Sequence, residues 1–454
     1  MKKIYTIVLV LALFSSCNYL DVTPTGKVIP ETVTDFRAMM TSAYSKVPSY
    51  KRMLTVRSDE VVPFMYGYFF NNYVDLALWE DVNPDPMTAS YHWTEIYNVI
   101  FYANSVIEEV MGAEIDTHTD SREQLKGEAL LLRALMHFDL LNLYAKYYDP
   151  ATAMTDRGIP LSLKVDIDQE YKPATVEQVY TQVLADIEEG MGLMEVEEQP
   201  ATTCYRFSLK AAKAFKAKVL LYKRQWAESL AIAEDLLASC PLMDMNGDTG
   251  VPPYENTSVE AILFLDGVGT IDIASDMVMN GNFMALYNTG KAADDSYLDR
   301  RVGMYFEESW TGETVPRKYG NSKAERATLR SADVWLMAAE AAAHDAGKLG
   351  TAKGYLKQLL EKRLEPDYYN ERALVIDGMN QEQLLTEIQD ERGRELALEG
   401  QRWFDLRRTT RPRIEKSFLD MNYEEHSAVL EKDDSRYVIR FPKEAIANNP
   451  NLAN

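Results

Sequence analysis

"KAAKAFKAKVLLYKRQWAESLAIAEDLL", residues 210 to 237, holds two amphipathic runs separated by a three-residue turn. Apolar residues recur at spacings of three and four in both, the helical period. Small Ala217 lies near the middle of the first run, and Trp226 opens a second that carries Ser229, Ala233 and Leu236 at offsets 0, +4 and +7. Small side chains at such points let antiparallel helices approach closely, and stacked pairs bury a face that none covers alone. "LGTAKGYLKQLL" (349–360) repeats the offsets with Ala352, Leu356 and Leu359. The recurrence predicts tetratricopeptide-like helix pairs in a mainly α protein.

Helical periodicity extends outward from this pair over roughly 31–47, 87–111, 121–147, 175–194, 208–222, 226–239, 327–345, 350–363 and 381–408. Strand signals are confined to "AILFL" (261–265) and "YVIRF" (437–441). In the last helical run, Leu385, Ile388, Leu396, Trp403 and Leu406 mark one face with Arg392 inside the stripe. An arginine there buries its stem and needs carboxylates, and Glu395 and Glu399 stand on the same side of a continuous helix. A paired structural arginine is the expectation.

The N-terminus reads as an address. Lys2 and Lys3 precede a short apolar run, Ile4 to Phe14, and Ser15 and Ser16 precede Cys17. The run is too short for a permanent transmembrane helix, so residues 1–16 are expected to be a removed secretory signal. The order resembles a bacterial lipoprotein signal, with Phe14 where such signals usually carry Leu. A lipid on the Cys17 thiol would anchor the mature chain, each buried methylene adding about 0.8 kcal/mol.

Composition narrows the function classes. Lys and Arg total 48 against 70 Asp and Glu, a formal charge of −22. No basic stripe interrupts this excess, so nucleic-acid binding is not expected. The five histidines (His92, His118, His137, His344, His426) form no H-E-x-x-H, no G-x-S-x-G or complete P-loop is present, and "GVGTID" at 267 lacks the third glycine of a dinucleotide fingerprint. No cofactor is expected, and the missing motifs are compatible with a non-enzyme, while 70 acidic residues leave a glycosidase-type carboxylate pair open by counting. In "DMNGDTGVPPYE", Asp244, Asn246, Asp248 and Glu255 occupy positions 1, 3, 5 and 12 of a calcium loop, but Thr249 replaces the required glycine, so a solvated Asx-turn loop is the expectation. Cys204 and Cys240 flank the 210–237 pair, and both a bridge and two free thiols fit that spacing.

Read together, several segments resemble the SusD/RagB family of outer-membrane nutrient-binding lipoproteins. They are "NYLD" after Cys17, "WTEIYNVIFYANSVIEEV", "EALLLRALMHFDLLNLY" followed by "GIPLSL", "PATVEQVYTQVLADIEEG", "RSADVWLMAAEAAAHDAGK", "ERGRELALEGQRWFDLRR" and the ending "IRFPKEAIANNPNLAN". The resemblance implies a right-handed α-α superhelix of helix pairs packed against an irregular half with small β-hairpins. It implies one domain over 17–454, helical over about 87–240 and 325–408 and irregular over about 48–86, 241–324 and 409–454. It also implies a non-catalytic, lipid-anchored lid at the cell surface that passes a glycan to a SusC-like TonB-dependent transporter. A peptide-binding RagB-like lid and a helical-repeat envelope scaffold are the alternatives.

A sugar ring offers a C–H face to an aromatic side chain and hydroxyls to polar ones. "FMYGYFFNNYVDLALWEDVNPD" (64–85) interleaves Tyr66, Tyr68, Tyr73 and Trp79 with Asn72 and Asp81, and the resemblance places ligand-binding loops there. Tyr287 and Trp310 lie in a second such segment. Trp79 and Tyr73 are the predicted stacking platform, while Trp93, Trp226, Trp335 and Trp403 match the scaffold and are assigned to packing.

Overall fold

Helix starts follow local capping chemistry. In the computed structural model, which describes residues 30–116, 120–166, 168–247, 250–266, 273–319 and 326–453, Thr32 and Asp35 form a capping box before the helix Val33–Ser45. Thr175 and Gln178 do the same for Val176–Leu193, and Asn380 and Gln383 for Gln381–Glu395. Ser121 and Ser208 cap Arg122–Tyr144 and Leu209–Tyr222. Each such cap satisfies otherwise orphaned N–H groups and contributes about 1 kcal/mol. Cys17 and the expected signal lie outside the described residues.

Sequential helices pack as neighbours. Trp93–Glu109 lies against Arg122–Tyr144, which lies against Val176–Leu193, then Leu209–Tyr222, Trp226–Leu237, Ser331–Ala343 and Leu349–Glu361 follow in turn. Glycines set the closest crossing: a Cβ on Gly127 would sit 3.0 Å from the Gly190 carbonyl oxygen, and one on Gly190 would sit 3.1 Å from that of Gly127. In the 210–237 pair, Ala217 and Ala233 are fully buried and the Ser229 hydroxyl donates to the Ala217 carbonyl at 2.8 Å. The alanine-rich Ser331–Ala343 accommodates three neighbours at once, Trp226–Leu237, Leu349–Glu361 and Gln381–Glu395.

The described residues contain five two-stranded antiparallel sheets. Three matter for function. Val61–Pro63 pairs with Met277–Met279, Phe306–Glu308 with Thr314–Pro316, and Ile414–Leu419 with Glu425–Leu430. One continuous apolar cluster runs from Val33 to Ile439 and includes both halves.

Some expected elements differ in the structure. The run 381–408 is two helices, Gln381–Glu395 and Arg402–Arg408, because the chain reverses between them through left-handed Leu398 and Gly400 (φ 66° and 72°). Arg392 is buried and paired as expected, but with Asp405 at 2.8 Å and Asp333 at 3.0 Å; Glu395 and Glu399 are instead held by Arg301, Arg330, Arg363 and Lys318. Residues 437–441 form no strand, since the Ile439 N–H donates to the Leu143 carbonyl at the end of a helix. Of the two alternatives left open for Cys204 and Cys240, the structure has no bridge between them: both are buried, and the Cys204 thiol donates to the Asn256 carbonyl at 3.8 Å.

Arg392 is part of a charged interior. Glu395, fully buried, accepts from Arg330 at 2.7 Å, from Arg363 at 2.9 Å through each oxygen, and from Arg301 at 3.1 Å. Glu399 accepts from Lys318 at 2.6 Å and Arg330 at 3.0 Å, and Glu260 from Arg363 at 2.6 Å and Arg330 at 3.0 Å. These contacts fasten the C-terminal signature to strands and loops of the irregular half.

Candidate functional site

The structure separates the predicted site residues into two groups. Trp79 is 1% exposed; its indole N–H donates to the Arg57 carbonyl at 2.9 Å, and the Lys416 ammonium lies 5.2 Å from the ring centroid. Tyr73 is 2% exposed. Neither ring has a free face, so the predicted stacking platform is core. Asp81 pairs with Arg57 at 2.6 Å, Asn72 donates to the Met87 carbonyl at 2.8 Å, and the buried Tyr287 donates to the Arg394 carbonyl at 2.7 Å. Alternation of aromatic and polar residues around position 75 arises from the helix Phe70–Ala77 burying one face, a period masked by the aromatic-rich flanks.

Tyr66 and Trp310 behave differently. Tyr66 is 46% and Trp310 80% exposed, with ring centroids 5.3 Å apart at 42°. Tyr423, 71% exposed and absent from the predicted set, stands beside Tyr66, and its hydroxyl raises the Tyr66 phenol above its ordinary value. Tyr68 stands exposed on Phe69, edge to face at 4.7 Å. Four aromatic side chains from three separate turns thus form an exposed group in the irregular half.

Each turn is held by its own sequence. Tyr66 precedes Gly67, where an added Cβ would lie 2.9 Å from the Asp276 Cα, so only glycine lets the loop lie against that backbone. The Asp276 carboxylate accepts from the Phe69 N–H at 3.0 Å, and the Phe64 N–H donates to the Asp276 carbonyl at 2.8 Å. Trp310 sits in the Ser309–Glu313 turn, closed by Ser309 N–H to the Glu313 carbonyl at 2.8 Å and by left-handed Gly312. Tyr423 occupies a left-handed position (φ 64°) in a turn whose Asp420 accepts from Asn422 N–H at 2.8 Å and Glu424 N–H at 2.9 Å. Tyr287 supports the group from beneath, its ring 5.1 Å from Phe306 at the base of the Trp310 hairpin.

The arrangement suits a neutral, ring-shaped ligand. Flat rings present C–H-stacking area at low entropic cost, and the Glu313 carboxylate beside Tyr66 accepts hydroxyl hydrogens. His137 is fully buried, accepts from the Ser162 N–H at 3.2 Å, and is pulled down to about 3 by burial and by Arg133. His344 stacks on Trp226 at 3.8 Å. Asp244 is engaged by Lys362 at 2.9 Å and by the Asn246 N–H at 3.0 Å, an Asx turn; Asp248 and Thr249 lie outside the described residues. The sequence held one signal for Tyr423, the D-M-N-Y-E turn between alternating strands at 414–430.

Comparison with known proteins adds the lineage. The model of a family described as "Starch-binding associating with outer membrane" matches residues 18–221, and the "SusD family" model matches residues 195–452. SusD-like protein P38 of Formosa agariphila is 28% identical over 254 residues, 52% of this chain and 45% of that protein, so the chain spans about half the length of this relative. A SusD superfamily protein of Bacteroides fragilis superposes with TM-score 0.75 at 20% identity, over 93% of this chain and 99% of the other. A laminarin-binding SusD-like protein superposes with TM-score 0.58 at 18% identity, over 84% and 92%.

Proposed function

Because the chain belongs to the SusD family, we propose that it is a glycan-binding lid held at the cell surface by lipid on Cys17 and working with a SusC-like TonB-dependent transporter. The observation that carries the ligand assignment is the exposed Tyr66–Trp310 ring pair, with Tyr423 beside it. One or two sugar rings stack on these faces while Glu313 takes hydroxyl hydrogens. Binding without turnover is part of the proposal. Among the described residues no helix is long and apolar enough to cross a membrane.

Affinity electrophoresis against laminarin, starch and other neutral polysaccharides tests the reading. Retardation by at least one glycan, lost in Trp310→Ala with Tyr66→Ala, supports it. Equal retardation of the double variant by every glycan bound would refute the site, and binding of peptides in place of all glycans would refute the ligand class. Copurification of a large barrel from solubilised outer membranes tests the partner.

A further inference from the structure

A cleft of about 1190 Å3 opens between the end of the helix Arg122–Tyr144 and the segment 433–441, and shares no residue with the aromatic group. It exceeds the usual 300–1,000 Å3 of small-molecule sites. Several of its cations are matched by carboxylates: Arg411 by Asp433 at 2.6 Å, Arg436 by Asp434 at 2.7 Å and Lys146 by Asp156 at 3.1 Å.

Arg407 differs. It lines the same cleft, is only 2% exposed, and has no carboxylate within ion-pair distance among the described residues. Its guanidinium donates to Asn142 Oδ1 at 2.9 Å and to the Ala145 carbonyl, while Nε has no partner. Burial, reinforced by Arg411 against the opposing Tyr180 and Tyr222, pulls the group down to about 10. A buried cation without a counter-ion is costly, and in a chain of net charge −22 carboxylates are plentiful. Its isolation is therefore informative. The carbonyl end of Arg122–Tyr144 compensates part of the charge, and an anion in the cleft that Arg407 lines would compensate the rest. Nearby, Arg411 lies 4.1 Å from the Tyr147 ring, with Ser435 and Glu80 at the walls.

We propose that this cleft binds a hexuronate unit of an acidic glycan, with the carboxylate on Arg407 and Arg411 and the hydroxyls on the polar walls. The choice of a sugar acid rests on the glycan reading above; the anion site rests on Arg407 alone. Calorimetry of the full chain with trigalacturonate, its methyl ester and a tripeptide with a free C-terminus tests it. The acid binds at least tenfold more tightly than its ester and the tripeptide, and Arg407→Gln loses that preference. Asp433→Asn, on an exposed turn, frees Arg411 and tightens trigalacturonate several-fold. Equal binding of acid and ester, equal binding of tripeptide and trigalacturonate, or an unchanged Asp433→Asn would each overturn the proposal. The acid–ester difference is read on the unmodified chain, so a failure to bind neutral glycans counts against the aromatic site and not against the cleft.

Discussion

Glu395→Gln removes one charge from the centre of the buried ion network and leaves its shape intact. Both Glu395 oxygens are occupied, Oε1 by Arg330 at 2.7 Å and Arg363 at 2.9 Å, Oε2 by Arg363 at 2.9 Å and Arg301 at 3.1 Å. An amide keeps one acceptor and turns an N–H2 toward guanidinium donors. All four side chains are fully buried, so water cannot screen the surplus charge. Breaking a buried pair from one side costs about 3–5 kcal/mol. For 454 residues, an unfolding entropy of about 2.1 cal/mol/K per residue gives roughly 1 kcal/mol per degree, so Tm falls by about 3–5 °C. Calorimetry reads the Tm and urea unfolding the free energy. Asp295→Asn, which breaks the exposed Lys291 pair, serves as the control and changes neither. If Glu395→Gln unfolded within a degree of wild type, the network would not hold the halves together.

Trp310→Ala removes one face of an exposed indole, roughly 100 Å2 of stacking area, and should weaken glycan binding about tenfold with Tm unchanged, read by calorimetry. Trp79→Phe deletes the N–H donated to the buried Arg57 carbonyl; stability falls about 2 kcal/mol by urea titration while glycan affinity holds, reversing the order expected from sequence. Asp405, raised by burial but pulled lower by Arg392 and Arg408, titrates at about 2 when folded and near 3.8 when unfolded. The unfolded chain then binds more protons across that window, so about 2 kcal/mol of stability present above pH 4 is lost as pH falls toward 2, and Asp405→Asn abolishes that part of the slope in acid unfolding. Gly400→Ala places a Cβ 2.5 Å from the Lys51 Cβ at φ 72° and should cost about 3 kcal/mol or more by the same titration.

Helices with strong apolar periodicity and a capping side chain were legible: 175–194 is Val176–Leu193 and 208–222 is Leu209–Tyr222. Pro366–Asp377 was not, because it buries only Ile376 and has no apolar face to read; its signal was Glu365 before Pro366. The break at Leu398 and Gly400 escaped because apolar spacing continues across it, and only the glycine marks the reversal. In the site, composition identified aromatic segments but not which rings face water. Tyr73 and Trp79 occupy and follow a helix that buries them, whereas Tyr66 and Trp310 lie in turns, where side chains escape burial. Arg407's isolation is a tertiary fact: its sequence neighbour Arg408 finds Glu340 and Asp405, and nothing local distinguishes the two.

Tyr66, Trp310 and Tyr423 each ride on a separate reversal of the chain, braced by its own glycine or aspartate and lying outside the charged interior. Exchange of any one tip leaves the other two, and everything below them, in place. If these tips bind ligand as proposed, a lineage can retune its preference by rewriting a few surface letters, without renegotiating how the polypeptide folds.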